Sequence, residues 1–318
     1  MSLKFRILNE LKINNNNFTS GQELADRFEV SRGAVWKCIK SLRDDGYVIE
    51  SVTNKGYRII SENDVLSEDG IKLNLKEYGD IVNIIIYDVV DSTNNMLKRL
   101  YIDGIPDNTL VIANEQTDGK GRYGRKFYSP ARTGLYFSLL IKPDFDISSA
   151  SLITCITAVA ICKSIKSLTN KHPGIKWIND IYLDNKKIAG ILTEASSGFE
   201  SGNFDYIIIG IGINITTNDF PDYLSDIAGS LNEDISKNKI VADILYNIYS
   251  AFHSLPDYDY INEYRNYSIM MDKNISYKIK NETYTGKVIG IDDTGGLIVS
   301  DTNTTTTLKS GEVTIIDF

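Results

Sequence analysis

In the first 60 residues, hydrophobic positions recur first at helical spacing and then at the spacing of extended strands. Ser20 precedes a short apolar helix as an N-cap, and Val35, Ile39 and Leu42 recur at helical spacing in the next one. Two β patterns joined by a tight turn at 54–56 come next. Two helices, a basic second helix and a hairpin are typical of a winged helix-turn-helix, which we predict over residues 1–62.

Residues 14–17 are a polar connector within this first segment, and residues 63–70 are a polar, acidic linker that follows it. After the linker, hydrophobic runs of strand length alternate with amphipathic helical stretches. The predicted strands are 81–90, 110–114, 135–141, 175–183, 187–193 and 206–215. The predicted helices are 92–101, 152–168 and 238–266. Short β patterns between glycines then predict a small β-barrel over 271–318, with 304–307 as a strand. The whole is an α+β fold, with a central mixed β-sheet and helices over 63–270.

Charge is distributed unevenly along the chain. The net charge is −8, but the first 60 residues hold ten Lys and Arg against seven Asp and Glu, so this head is +3 and the remainder −11. A weakly basic head on an acidic body is compatible with modest, salt-sensitive DNA binding that needs a dimer.

Composition otherwise indicates a cytoplasmic protein. No run of about 18 apolar residues stands out and no signal peptide is recognisable, so no membrane span is expected. The three cysteines form no disulfide framework, and Cys155 and Cys162 share one face of an apolar helix, which predicts burial rather than catalysis.

A cationic, glycine-rich loop covers residues 116–125. Its glycines allow the backbone to approach a ligand and its cations suit an anionic one. They are Gly119, Gly121 and Gly124, and Lys120, Arg122 and Arg125. The loop lacks the Ser or Thr of a Walker A motif. A solvated basic turn is the alternative interpretation.

A second charged segment covers residues 176–192. Along one continuous strand, Lys176 and Asp180 would point to the same side, which is costly unless a ligand balances them. Asp180 can also hold a divalent metal such as Mg²⁺. Lys187 begins the return strand, and Gly190 leaves room for a ligand. An exposed edge strand with ordinary charges is the alternative.

Two weaker signals complete the pattern. Ser92-Thr93-Asn94 follows a strand at a helix N-terminus, where free N–H groups bind an anion or a carbonyl, although helix capping alone explains Ser92 equally well. The stretch 210–214, Gly-Ile-Gly-Ile-Asn, lacks the third glycine of a dinucleotide fingerprint and reads as a strand.

Together these motifs resemble the biotin–protein ligases of the bifunctional kind that also repress the biotin operon. The family's Gly-Arg-Gly-Arg-x-x-Arg loop corresponds to 119–125, its Lys-Trp-Pro-Asn-Asp to 176–180 and its Lys-Ile-Ala-Gly-Ile-Leu to 187–192. Three positions depart from the usual residues: Lys120 for Arg, Ile178 for Pro and Phe127 for Trp. None of these changes removes a charge that the family's reaction needs.

The resemblance implies a class II synthetase-like ligase domain and an SH3-like C-terminal barrel. It also implies that biotin and Mg-ATP form biotinyl-5′-AMP and that a lysine of a biotin carboxyl carrier domain then accepts biotin. The implied catalytic residues are Lys187, Arg122 and Asp180, with Asp180 also the Mg²⁺ candidate. The implied biotin-binding residues are Ser92, Thr93, Asn94, Gln116, Gly119, Lys120, Gly121, Arg122, Lys187 and Gly190. The implied ATP- or adenylate-binding residues are Arg122, Arg125, Lys176, Asn179, Lys187 and Asn214.

The same resemblance implies regulation and offers alternatives. Bound adenylate should favour a homodimer whose two heads contact operator DNA through Ser31, Arg32, Lys37, Lys40 and Lys55. Trp177 is expected to pack beside the ligand, and the loop to become ordered when ligand arrives. A lipoate-type ligase and a ligand-responsive repressor without catalysis are the competing functions.

Overall fold

The computed structural model describes residues 2–14, 17–60, 66–142, 150–197, 204–255, 259–279, 282–301 and 304–316. The chain divides into two compact units. The first comprises Met1–Ile81 with Ile235–Tyr246, and the second Val82–Asp234 with Asn247–Phe318.

The first unit is built from helices and one hairpin, which confirms the predicted winged helix-turn-helix. Its elements are α1 Leu3–Ile13, α2 Gly21–Arg27, α3 Arg32–Asp44, β1 Ile49–Val52, β2 Gly56–Ile59 and α4 Glu68–Asn74. Helix α1 is not among the predicted elements, and its Ile7, Leu8 and Leu11 are fully buried. They share one core with Val35, Ile39 and Leu42 of α3, so the predicted apolar stripe of α3 packs partly against α1.

Serine caps fix where the two central helices start. Ser20 Oγ accepts a hydrogen bond from the backbone N–H of Gln22 at 3.1 Å, and Ser31 Oγ accepts one from Ala34 at 3.2 Å. Each cap satisfies an N–H group that has no partner within the helix. The cap at Ser20 therefore agrees with the sequence prediction.

The predicted linker at 63–70 is partly wrong. Residues 63–65 lie outside the described residues, as do Asn15 and Asn16 of the polar run, but α4 already begins at Glu68. Ser67 Oγ caps it by accepting a hydrogen bond from Gly70 N at 3.0 Å. Glu68 and Asp69, which looked like part of a linker, occupy the first helical turn, where the helix dipole favours negative charge.

A seven-stranded sheet organises the second unit. Its strands are β3 Asn83–Val90, β4 Thr109–Gln116, β5 Gly134–Ile141, β6 Gly174–Lys176, β7 Asp180–Leu183, β8 Lys186–Ser197 and β9 Phe204–Asn214. Their order is β3-β4-β5-β9-β8-β7-β6. Strands β3 and β4 run parallel and the other neighbours antiparallel, which confirms the predicted mixed sheet.

The predicted strand at 175–183 is in fact two strands. A tight turn at 177–179 separates β6 from β7, so Lys176 and Asp180 are cross-strand partners rather than neighbours along one strand. They still come close together, for a different geometrical reason. Asp184 and Asn185 have positive φ values of 49° and 62°, as a two-residue type I′ hairpin turn between β7 and β8 requires.

The remaining helices are α5 Thr93–Ile102, α6 Ala150–Leu168, α7 Lys237–His253 and α8 Tyr260–Tyr267. Two helices, α7 and α8, therefore occupy the stretch near 238–266 that was predicted to be helical. Asp259 explains the new start, because its Oδ1 accepts a hydrogen bond from Asn262 N at 3.3 Å and caps α8.

Helix α6 lies in the core of the second unit. By length and hydropathy its segment Ser151–Leu168 could cross a membrane, contrary to the sequence reading, but most of it is buried inside the protein as in a soluble core helix. Cys155 and Cys162 are fully buried there, as predicted. Burial raises the pKa of Cys155 to about 12, which keeps this thiol protonated and unreactive.

The C-terminal residues form a five-stranded antiparallel sheet. Its strands are β10 Asn274–Ile279, β11 Glu282–Ile291, β12 Leu297–Ser300, β13 Thr305–Leu308 and β14 Val313–Ile315, in the order β13-β12-β11-β10-β14. The polar run of threonines is a strand, as expected. In the turn before β12, Asp292 Oδ1 accepts hydrogen bonds from the backbone N–H groups of Thr294 and Gly296.

The hairpin of the first unit depends on Gly56. Its φ is +107°, and a Cβ there would collide with the carbonyl of Thr19, a residue outside the hairpin that pairs with Tyr57 of β2. We expect Gly56→Ala to lower the free energy of unfolding of this unit by roughly 2–4 kcal/mol, measured by urea titration of the full chain. Gly104→Ala is the control, because φ is also positive at +83° but no atom lies within 4 Å. Equal losses in both variants would contradict the packing argument.

Candidate active site and nucleic-acid interface

Main chain forms the floor of a small cavity of about 50 Å³ in the second unit. Gly190 of β8 and Gly212 of β9 are directly opposite each other, and Gly210 lies two residues along β9. A Cβ on Gly210 would collide with Asn94, and one on Gly212 would lie 2.5 Å from the ring of Phe127. Because these positions have no side chains, other elements can lie directly on the sheet.

Uncharged polar groups form one wall. Ser92, Thr93 and Asn94 are almost completely buried at the start of α5. The backbone N–H of Thr93 donates to Gln116 Oε1 at 2.9 Å, and Gln116 Nε2 donates to Ser129 Oγ at 2.9 Å. Both ends of the Gln116 amide are therefore held, which fixes the polar surface it offers.

Ser92 occupies the N-cap position without making a side-chain capping bond. Capping therefore does not account for this buried serine, which lines the cavity. Its predicted contact with a ligand stays a prediction. Deeper in the wall, Ser138 Oγ donates to Asn94 Oδ1 at 2.5 Å, and Asn94 Nδ2 donates to Glu194 Oε2 at 2.8 Å. Lys98 neutralises Glu194 at 2.6 Å. This wall suits a neutral polar ligand group.

The cationic loop is folded as a small hairpin. Gly121 N donates to Arg125 O and Phe127 N donates to Gly119 O, both at 2.8 Å. Its tip, Arg122–Gly124, is a short 3-10 turn, with Tyr123 at φ 56° and Gly124 at φ 74°. The prediction that the loop becomes ordered with ligand stays a prediction.

Arg122 joins this loop to the second charged segment. Its guanidinium donates to Asn179 Oδ1 at 3.2 Å, and Asn179 Nδ2 donates to Ile191 O at 2.9 Å. Two motifs that lie more than 50 residues apart in the sequence thus meet at the cavity. Lys120, Gly121, Arg122 and Asn179 all line it.

Lys187 also lines the cavity and pairs with Asp180. Their Nζ and Oδ1 atoms are 2.6 Å apart, and both side chains are about one quarter to one third exposed. Asp180 is opposite Lys176 in β6 and Gly190 in β8. One carboxylate therefore lies between two ammonium groups, which leaves a net positive charge for an anionic ligand.

Lys176 is partly buried. Burial lowers its pKa from the ordinary value, and the charge of Asp180 only partly opposes this. Its Nζ is 3.5 Å from the hydroxyl of Tyr182 and 5.4 Å from that ring. Burial raises the pKa of Tyr182 to about 12, so the phenol stays neutral beside the lysine. A desolvated ammonium of this kind interacts strongly with phosphate.

Other cations of the loop pair with exposed partners. Arg125 contacts Glu312 at 2.6 Å, and Lys120 contacts Asp118 at 2.7 Å. Exposed ion pairs contribute little to stability, so a phosphate group can replace these carboxylates at small cost.

Asn214 is buried at the end of β9. Its Nδ2 donates to Gly229 O at 2.9 Å, whereas Oδ1 has no hydrogen-bond partner among the described residues. A buried acceptor without a donor costs free energy, so this atom suits an N–H group of a ligand.

Trp177 corrects one expectation. It does not line the cavity; its indole N–H donates to Gly295 O in a turn of the C-terminal sheet, and the ring is only 4% exposed. The indole is therefore used to hold the turn at 177–179 against the C-terminal sheet.

Two features bear on where ligands bind. A larger groove of about 420 Å³ lies beside the β7–β8 turn and contains none of the predicted site residues. The candidate site is therefore identified by its polar and charged side chains and not by its size. Among the residues that the structure describes, no cluster of three His, Cys, Asp or Glu side chains could hold a metal. Asp180 alone would serve only together with phosphate oxygens, which is how Mg²⁺ is commonly bound.

In the first unit, the predicted DNA contacts are displayed on the surface. Arg32, Lys37 and Lys40 of α3 and Lys55 at the hairpin tip are exposed. Ser31 uses its hydroxyl to cap α3. Its predicted contact with DNA stays a prediction.

Known protein families match three segments of this chain. Residues 4–58 match an HTH domain, 86–214 the Biotin/lipoate A/B protein ligase family, and 272–315 the Biotin protein ligase C terminal domain. The chain is 36% identical over 294 residues to the bifunctional ligase/repressor BirA of Bacillus subtilis, covering 89% of this chain and 90% of that protein. It belongs to the bifunctional biotin ligase/repressor family. The Escherichia coli protein of the same name is 26% identical over 308 residues, covering 95% of this chain and 94% of the relative.

Solved biotin ligases share this fold. The biotin protein ligase from Aquifex aeolicus in complex with biotin and ATP matches with a TM-score of 0.64 and 26% identity, covering 73% of this chain and 97% of that one. The HTH match and the bifunctional relatives extend the agreement to the N-terminal unit.

Sequence reasoning about this biotin ligase missed several residues around the cavity. Phe127 was noted only as a substitution, yet its ring lies on Gly190 and Gly212. Ser129 and Ser138 were not noted at all, although they orient Gln116 and Asn94. The alternate glycines in β9 were the available signal, because they mark a strand that something approaches closely.

The lowered pKa of Lys176 gives a prediction about stability. Below that pKa the buried ammonium is charged and its desolvation lowers stability, so we expect Lys176→Met to raise the melting temperature near pH 7. As pH rises through the lowered pKa, the folded lysine loses its proton before the unfolded one does, and the advantage of methionine should shrink.

The measurement is thermal unfolding between pH 7 and pH 10. Lys126→Met, at a side chain that is 79% exposed, is the matched control and should change little. A destabilised Lys176→Met protein at pH 7 would refute the argument.

Proposed function

We propose that this biotin ligase joins biotin to ATP, releasing pyrophosphate, and then transfers the biotinyl group to a lysine of a biotin carboxyl carrier domain. We also propose that it represses transcription in response to biotin. The observation that carries the enzymatic part is the arrangement of the cavity. Two cations from separate segments, Arg122 and Lys187, line it together with the neutral polar residues Thr93 and Gln116. Lys176 does not line the cavity, but it is the cross-strand partner of Asp180, which pairs with Lys187.

The neutral wall fits the head of biotin. Its ureido group has one carbonyl and two N–H groups and carries no charge. Ser92, Thr93, Asn94 and Gln116 offer both donors and acceptors at the buried end. The glycine floor with Phe127 gives an apolar surface for the ring system, and Gly119, Lys120 and Gly121 would close over it.

Adenylation needs positive charge at the other end. A biotin carboxylate oxygen attacks the α-phosphorus of ATP, a new P–O bond forms, and the bond to pyrophosphate breaks. Lys187 would orient the carboxylate and stabilise charge that develops on the phosphoryl oxygens, which is the largest kind of catalytic contribution. Arg122, Arg125 and Lys176 would hold phosphates. Asn179 and Asn214 would contact the nucleotide.

We assign Mg²⁺ to Asp180 together with phosphate oxygens. The ion would offset the charge repulsion between the carboxylate and the triphosphate. Asp180 would also orient the incoming carrier lysine, whose amine attacks the biotinyl carbonyl and displaces AMP. The Arg122 loop would keep water from the mixed anhydride in the meantime.

Regulation would follow from occupancy of the same cavity. We propose that adenylate favours a homodimer, whose two weakly basic heads bind operator half-sites with high effective concentration. Ser31, Arg32, Lys37, Lys40 and Lys55 would contact that DNA. A cytoplasmic location agrees with the need for ATP, a carrier protein and DNA in one compartment.

The first experiment incubates the purified chain with biotin, Mg-ATP and a biotin carboxyl carrier domain, and follows the mass of the carrier. We expect a gain of one biotinyl group on one lysine. Biotin binding without labelling or adenylate would instead support a repressor without catalysis. Labelling of a lipoyl domain with lipoate, and no reaction with biotin, would overturn the proposal in favour of a lipoate ligase.

Lys187 provides a direct test of the charge argument. We expect Lys187→Ala to slow pyrophosphate release by roughly 10²–10³-fold, because charge stabilisation in the transition state is lost. Lys186→Ala is the control: this neighbour is exposed and its ammonium donates to Ser225 O instead. Near-normal release by Lys187→Ala would exclude the proposed role.

Arg122 should retain the intermediate rather than form it alone. We expect Arg122→Gly to release biotinyl-AMP into solution at least tenfold faster, measured by rapid filtration or by biotinylation of bystander proteins. Lys126→Gly, in the same loop but with an exposed side chain, should leave retention unchanged. Equal retention by Arg122→Gly and the unmodified chain would remove Arg122 from this role.

A further inference from the structure

An exposed tryptophan stands on the outer face of helix α3. Trp36 is 54% exposed, whereas Val35, Ile39 and Leu42 of the same helix are buried in the core. A large apolar ring on the surface exposes apolar area to water, and binding of a partner would bury that area. The core of this unit does not use it.

Its neighbours on the exposed face are cationic. Arg32 and Lys40 lie one helical turn to either side, and Lys37 lies next to it. Lys40 Nζ is 5.9 Å from the centre of the Trp36 ring. The partner of this face must therefore be anionic and must also offer an apolar contact.

The helix surface beside Trp36 is open. Gly33, one turn earlier, has only Ser31 Oγ near the position of a Cβ, at 3.8 Å. Trp36 is the fifth residue of α3, and the N-terminal residues of a recognition helix are those that reach base edges in the major groove. Bare backbone at Gly33 lets that groove come close.

We propose that Trp36 reads DNA sequence by packing its ring against thymine C5-methyl groups in the major groove. This inference rests on the proposed DNA binding of the N-terminal unit. The thymine methyl is the apolar feature of the major groove, and the phosphates supply the anionic surroundings. A protein partner would meet the same cations, but only DNA offers a regular line of phosphates beside an apolar edge.

The lysines and the tryptophan have different parts in this scheme. Lys37 and Lys40 contact phosphates and contribute affinity that does not depend on sequence. Trp36 contributes preference for A·T pairs at the positions it covers. Removing Lys37 should lower affinity for all duplexes and reduce the salt slope by about one, whereas removing Trp36 should abolish one base preference.

The test uses the full chain with biotin and Mg-ATP. A duplex is first selected from a random pool by this protein, and then made in two forms, with thymine or with deoxyuridine, which lacks the methyl. We expect deoxyuridine to weaken binding by the unmodified chain about fourfold per contacted thymine, the effect of exposing one methyl group. For Trp36→Ala the two duplexes should bind equally.

Two matched variants separate the possible outcomes. Lys37→Ala should bind both duplexes more weakly but keep the difference between them. Trp36→Phe should keep part of it. If Trp36→Ala still distinguishes the two duplexes as strongly as the unmodified chain, the proposal is wrong. If the unmodified chain selects no duplex at all, the proposed DNA binding fails instead.

Tryptophan fluorescence gives an independent readout. The chain has two tryptophans, and Trp177 is buried whereas Trp36 is exposed. Adding the selected duplex should shift or quench the emission of the unmodified chain and leave that of Trp36→Phe unchanged. An unchanged emission on DNA binding would place Trp36 outside the interface and favour a protein contact for this face.

Discussion

The close approach of other elements to the central sheet is the constraint on which the active site depends. Side chains at Gly210 and Gly212 would displace Asn94 and Phe127. The start of α5 would then move away from the sheet, and the hydrogen bonds that Thr93 makes to Gln116 would be lost. Interiors are close-packed, so such a displacement is not absorbed locally. The absence of side chains from two positions of one strand thus determines where a polar wall and an aromatic ring can lie.

The same site has two ammonium groups for one carboxylate. Asp180 lies between Lys187, with which it pairs, and Lys176, its cross-strand partner. Burial lowers the pKa of Lys176, because an ammonium that has lost part of its hydration holds its proton less firmly. A negatively charged group beside it would offset that loss of hydration. Under the proposed function, the phosphates of ATP supply this group.

The cations that we propose to surround the ligand differ in how firmly they are held. Lys187 is partly buried and has one short ion pair, whereas Arg125 and Lys120 contact exposed carboxylates. A fixed ammonium is suited to stabilising charge in the transition state, and exposed guanidinium groups are suited to closing over the product. The division of the site into a fixed part and a loop therefore follows from burial, and it agrees with adenylation followed by retention of the intermediate.

Some of this could be read from the sequence, since helical spacing, N-cap serines and hairpin turns depend on residues within a few positions of one another. These local rules gave the winged helix, the mixed order of strands and helices, and the chemistry of the loop and the lysine-bearing hairpin. They failed where the outcome depends on distant partners. Three features show this: Lys176 and Asp180 lie on separate strands, Trp177 is buried against Gly295, and Phe127 packs on Gly212. No local sequence pattern predicts any of them. Only the tertiary structure decided these, because close packing and charge compensation act between surfaces that the chain brings together after its local elements have formed.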